Sequence, residues 1–167
     1  MTLRASIPVL FLALTSVGCG SDQEPCTEGC PDLSGVYAIR NAVPVGECSF
    51  TPYLLGPTVQ LLQNDSGQRV VLHVIDPSTQ LEVPLTGNVY APGPNDEAGL
   101  LGSFQMRART LRSTSRSSEQ TVTLEVLASG SVSSHEGRRV LSATLRTQDV
   151  SSGQACTVSL SVAGEGT

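Results

Sequence analysis

From Leu33 to the C-terminus, apolar and polar residues alternate in short runs, and this constrains the fold more than any other feature of the chain. A β-strand turns successive side chains to opposite faces, so a period of two marks a strip with one face buried and one face wet. Val59 and Leu61 flank Gln60, and Phe104, Met106 and Ala108 interleave with Gln105, Arg107 and Arg109. Leu124 and Val126 alternate with Thr123 and Glu125, and Cys156, Val158, Leu160 and Val162 share one phase near the end. Turn-forming residues separate the runs: Asn64-Asp65-Ser66-Gly67 predicts a hairpin, and Asp76-Pro77-Ser78-Thr79 a second turn. Pro84 places its strand at an edge. The stretch Tyr90 to Gly99 reads as a loop, Ser131 to Gly137 as a turn, and Gly164-Glu165-Gly166 as a frayed terminus. No window of helical length carries a 3.6-residue apolar stripe. The expectation is an all-β fold, an antiparallel meander of about eight strands. A small up-and-down barrel comes first and a β-sandwich second, because the edges of such a sheet must be closed or covered.

The N-terminal residues specify an address. Arg4 supplies a positive start, and Ile7 to Val17 form an apolar stretch. That stretch falls short of the roughly 20 residues needed to cross a bilayer, and reads as a secretory signal. The sequence Leu14-Thr15-Ser16-Val17-Gly18-Cys19 resembles the lipobox of bacterial lipoproteins, in which a small residue precedes an acylated cysteine. The resemblance implies removal of residues 1–18 and a diacylglyceryl thioether on Cys19, usually with a further amide-linked acyl chain such as palmitate. More than one chain makes membrane anchoring stable. Gly20 after the cysteine is similar to lipoproteins sorted to the outer membrane of Gram-negative cells, on its periplasmic or surface face. Residues 19–32 then form a lipidated polar tether, and residues 33–167 the all-β domain.

Charge and cysteine usage agree with export. The chain has 15 acidic and 10 basic residues, every basic one an arginine, and a formal net charge of −5. Nucleic-acid binding needs a basic footprint, so that partner class is set aside. With Cys19 lipidated, Cys26, Cys30, Cys48 and Cys156 remain, an even number suited to an oxidising compartment. Three pairings are open; Cys26–Cys30 with Cys48–Cys156 is favoured. The Cys26-x3-Cys30 spacing also suits zinc, but no second ligand pair stands nearby. The reading assigns no metal and no cofactor.

The opening Asp32-Leu33-Ser34-Gly35-Val36-Tyr37 is similar to the first strands of lipocalin-like and avidin-like barrels, where a glycine leads into an aromatic. The likeness covers those six residues and the meander pattern, and a likeness of fold does not carry function. Catalytic candidates are few. His73 sits in a strand between Leu72 and Val74, His135 in the turn beside Ser134 and Glu136, and no Gly-x-Ser-x-Gly elbow is present. Asn95-Asp96-Glu97 lacks the alternating acidic pattern of a calcium loop. Against the acidic trend, Arg107, Arg109, Arg112 and Arg116 cluster within ten residues. Arg107 and Arg109 share a predicted outer face, where guanidinium groups could meet phosphate or carboxylate on an envelope protein or an anionic ligand. The expected function is a non-catalytic interaction or structural module at the envelope. A carrier of a small apolar ligand in a barrel interior is the alternative.

Overall fold

The computed structural model describes residues 23–45, 51–113, 121–150 and 157–166. All of their regular structure is strand: β1 Gly35–Val45, β2 Thr58–Gln63, β3 Arg69–Ile75, β4 Glu82–Tyr90, β5 Leu100–Ser113, β6 Thr121–His135, β7 Arg138–Asp149 and β8 Thr157–Gly166. Each strand pairs antiparallel with its neighbour in sequence, and β1 pairs with β8, which closes an up-and-down barrel. The barrel expected from the alternation is the observed fold, and closure removes the edge problem that any open meander would leave.

Parity along each strand decides what fills the barrel. Leu61, Val70, Val74, Leu85, Val89, Leu124, Val126 and Val132 have no exposed surface at all. A side chain lining a void of even water size would keep some accessible surface, so these residues pack on one another without a gap between them. Eight-stranded barrels are just wide enough for side chains to fill. The outward positions carry Gln60, Gln105, Arg107, Arg109 and Thr144, all exposed. This arrangement is the reverse of a membrane-spanning barrel, which turns its apolar band to the lipid.

Both mouths are covered. At the proximal end, where β1 begins, residues 26–34 cross the opening. The Cys26 amide donates to the Val89 carbonyl (2.8 Å), and the Gln63 amide group donates to the Pro31 carbonyl (2.8 Å) while its oxygen accepts from the Leu33 amide (2.7 Å). Leu33 is fully buried, and the Tyr37 hydroxyl donates to the Leu33 carbonyl (3.0 Å). Burial raises the Tyr37 pKa above the usual phenol value, more than the nearby Arg139 charge lowers it. Part of the stretch read from sequence as tether is therefore hydrogen-bonded to the domain. At the distal end the segment around Tyr53 plays the same part, with the Leu54 amide donating to the Ile75 carbonyl (3.0 Å).

Three local expectations are corrected. The stretch Ser131 to Gly137 is mostly strand: β6 runs to His135, and the turn is only Glu136-Gly137. Both turn residues have positive φ (50° and 78°), as a two-residue type I′ hairpin requires. Gly164-Glu165-Gly166 is not frayed, since it pairs with Tyr37 to Ile39 on one side and with Arg139 to Leu141 on the other. Closure of the barrel gives that tail two partners. Pro84 lies in a strand bonded on both sides, yet its own position is an edge: it pairs with His73 of β3, whereas the β4–β5 register begins only at Thr86. The missing N–H of proline is harmless where no ladder runs.

Candidate functional site

A cleft of about 880 Å³ lies on the outer face of the barrel, across β3 to β6. Arg69, Thr86, Asn88, Gln105, Arg107 and Arg109 line it, and among the described residues none of those lining it is acidic. The register explains the gathering. Arg69 stands opposite Asn88 and Asn88 opposite Gln105, while the next row sets Thr86 opposite Arg107. Every side chain in these rows points outward because its strand neighbours, Leu85, Val89, Phe104 and Met106, point in. Gly87 lies at the base of the groove, where a Cβ would come within 1.8 Å of the Gln105 carbonyl oxygen. Only glycine lets β4 and β5 approach so closely there.

The three guanidinium groups differ in how they are held. Arg69 donates to the Asn88 side-chain oxygen (2.7 Å), which steadies it without neutralising it. Arg109 pairs with Glu125 (3.0 Å), an exposed cation against a mostly covered carboxylate. Arg107 is exposed and has no hydrogen-bond or ionic partner among the described residues. A planar fork of donors left free between two steadied cations suits an oxyanion ligand.

The structure divides the arginines that cluster in sequence. Arg107 and Arg109 are on the groove, and Arg116 lies outside the described residues. Arg112 is not part of this surface: it has the inward parity of Met106 and Ala108 and is 8% exposed. Its Nη1 donates to the Thr51 carbonyl (2.6 Å), its Nη2 lies 3.0 Å from Asp76 Oδ1, and its guanidinium carbon stands 4.6 Å from the centre of the Tyr53 ring. Nε and Nη2 have no aligned acceptor among the described residues, so the contact with Asp76 is an ion pair rather than a directed hydrogen bond. Burial pushes the Asp76 carboxyl up, but bonds from the Ser78 hydroxyl and amide, the Arg112 charge and the Tyr53 hydroxyl together hold it below the usual aspartate range. The Tyr53 hydroxyl also bonds the Thr110 hydroxyl. This buried group fastens the distal cover and does not face solvent.

Sequence reasoning missed Arg69, which lies 38 positions before Arg107 and joins it only through the register of three strands. Cys26 and Cys30 form a disulfide within the proximal cover, with Cα atoms 5.6 Å apart. Cys19, Cys48 and Cys156 lie outside the described residues. His73 is exposed on the outer face of β3, and His135 is exposed at the end of β6. In the 91–99 loop the Asp96 carboxylate accepts from the Gly93 amide. Among the described residues no three His, Cys, Asp or Glu side chains come together. No family model, no curated protein and no solved structure matches this chain.

Proposed function

We propose that this protein is a membrane-anchored envelope lipoprotein whose barrel is a non-catalytic binding module, working through the arginine groove on the outer face of β3 to β6. The observation that carries the reading is the position of the free cleft. Among the described residues, interior side chains such as Leu61, Val70 and Leu124 are fully buried, which favours binding on the outer face over binding inside the barrel. The outer cleft concentrates three cations in a chain of net charge −5. The anchor rests on the lipobox-like sequence ending at Cys19.

Two measurements test the reading together. Palmitate supplied to the host should label the wild-type chain and fractionate with the envelope, and Cys19→Ser should remove both properties. Native mass spectra of the Cys19→Ser protein should show a bare polypeptide. A copurifying apolar molecule would return the barrel interior to consideration as a carrier.

A further inference from the structure

The arginine groove and the exit of the N-terminal segment lie side by side. The Gln23 side chain donates to the Ala91 carbonyl (2.6 Å), and Gln23 lines a small cleft with Tyr90, Ser103 and Gln105. Tyr90 and Gln105 also line the arginine groove, so the two clefts are continuous on one face of the barrel. Cys19 is four residues before Gln23. Four residues span at most about 14 Å when fully extended. Acyl chains inserted from Cys19 would hold this face, rather than the opposite face formed by β1 and β8, next to the lipid headgroups.

We propose that the groove formed by Arg69, Arg107 and Arg109 receives the phosphate groups of anionic lipid headgroups in the membrane that holds the anchor. The proposal rests on the anchored-module reading above and names the partner of its groove. Charge complementarity supports it. The groove lining has three arginines and no acidic residue among the described residues; Arg109 is paired with Glu125, and Arg107 has no hydrogen-bond or ionic partner among the described residues. The exposed carboxylates of Glu24, Asp96 and Glu97 stand on the segment and loop beyond Tyr90, which confines the attraction to the groove. Each basic side chain near an anionic surface contributes about 1 kcal/mol, which is roughly fivefold in binding.

The test uses the Cys19→Ser protein, which cannot be held by acyl chains, in flotation with vesicles. Phosphatidylcholine vesicles containing phosphatidylglycerol should float the protein at low salt, and phosphatidylcholine vesicles alone should not. Added salt should weaken the binding. Arg107→Ala should lower it by about fivefold, and Arg107→Glu with Arg109→Glu should abolish it while circular dichroism stays unchanged. Arg138→Ala, at an exposed position on β7 away from the groove, should leave it unchanged. Equal loss from Arg138→Ala, or no preference for the anionic vesicles, would overturn the proposal. Retention of an envelope protein lost with Arg107→Glu, in the absence of any vesicle preference, would assign the groove to a protein instead. Palmitate labelling is read on the wild-type chain, so the anchor and the headgroup site can fail separately.

Discussion

Asp76 and Arg112 put opposite charges where little water reaches, with side chains 10% and 8% exposed. Removing one partner of such a pair leaves the other charged and desolvated, at a cost of about 3–5 kcal/mol, whereas replacing both with apolar groups of similar volume is often neutral. Asp76→Asn should therefore lower the urea midpoint more than the Asp76→Leu, Arg112→Met double substitution does. If the single variant is the more stable one, the pair is not holding the distal cover. The sign of the pH effect follows from the lowered pKa of Asp76. A carboxyl whose folded value lies below its unfolded value contributes stability above the unfolded pKa and loses it as pH falls through the folded one. The difference between wild type and Asp76→Asn should be full near neutrality and should shrink below about pH 4.

Among the strands, the seam between β1 and β8 carries the clearest prediction. From Asn41↔Ala163 to Val45↔Ser159 the register holds without a slip. Cys48 and Cys156, beyond the two ends of that register, lie outside the described residues, and the prediction for this seam is the pairing expected from the sequence, Cys48–Cys156. Non-reducing peptide mapping should recover Cys48 joined to Cys156, and a Cys30–Cys156 peptide would refute it. The same comparison of strands shows what the sequence made legible. The interior was readable wherever bulky apolar residues alternated with polar ones, as at Phe104-Gln105-Met106-Arg107. It faded in the second half of β6, where Ala128, Gly130 and Val132 alternate with serines that contrast weakly with them. Arg112 follows Arg107 and Arg109 closely in sequence, yet it shares the phase of Met106, and that two-residue phase turns it inward. Arg69 could not be placed by any local pattern, because its neighbours in the groove depend on registers between strands.

Taken as one molecule, the chain uses residues 26–34 to cover the proximal mouth of its barrel. A simple tether would tolerate most substitutions, since exposed positions away from specific contacts usually change stability by no more than about 0.5 kcal/mol. Residues 26–34 behave otherwise in the structure, because Leu33 is buried beneath them and the chain bonds to Val89, Gln63 and Arg139. Arg139 donates to the Ser34 carbonyl (2.6 Å) and reaches Asp32 at 3.2 Å, tying the cover to β7 across the mouth. Leu33→Ala removes buried methyl groups and leaves a cavity, at a cost of about 2–5 kcal/mol. Glu24→Ala and Glu28→Ala, at exposed positions of the same segment, should be nearly neutral. Urea titration of the three variants separates the roles. A neutral Leu33→Ala would mean that the cover adds no stability, and the barrel would then have to be stable with its proximal mouth open. A large loss at Leu33 alone would mean that the covering segment is part of the fold.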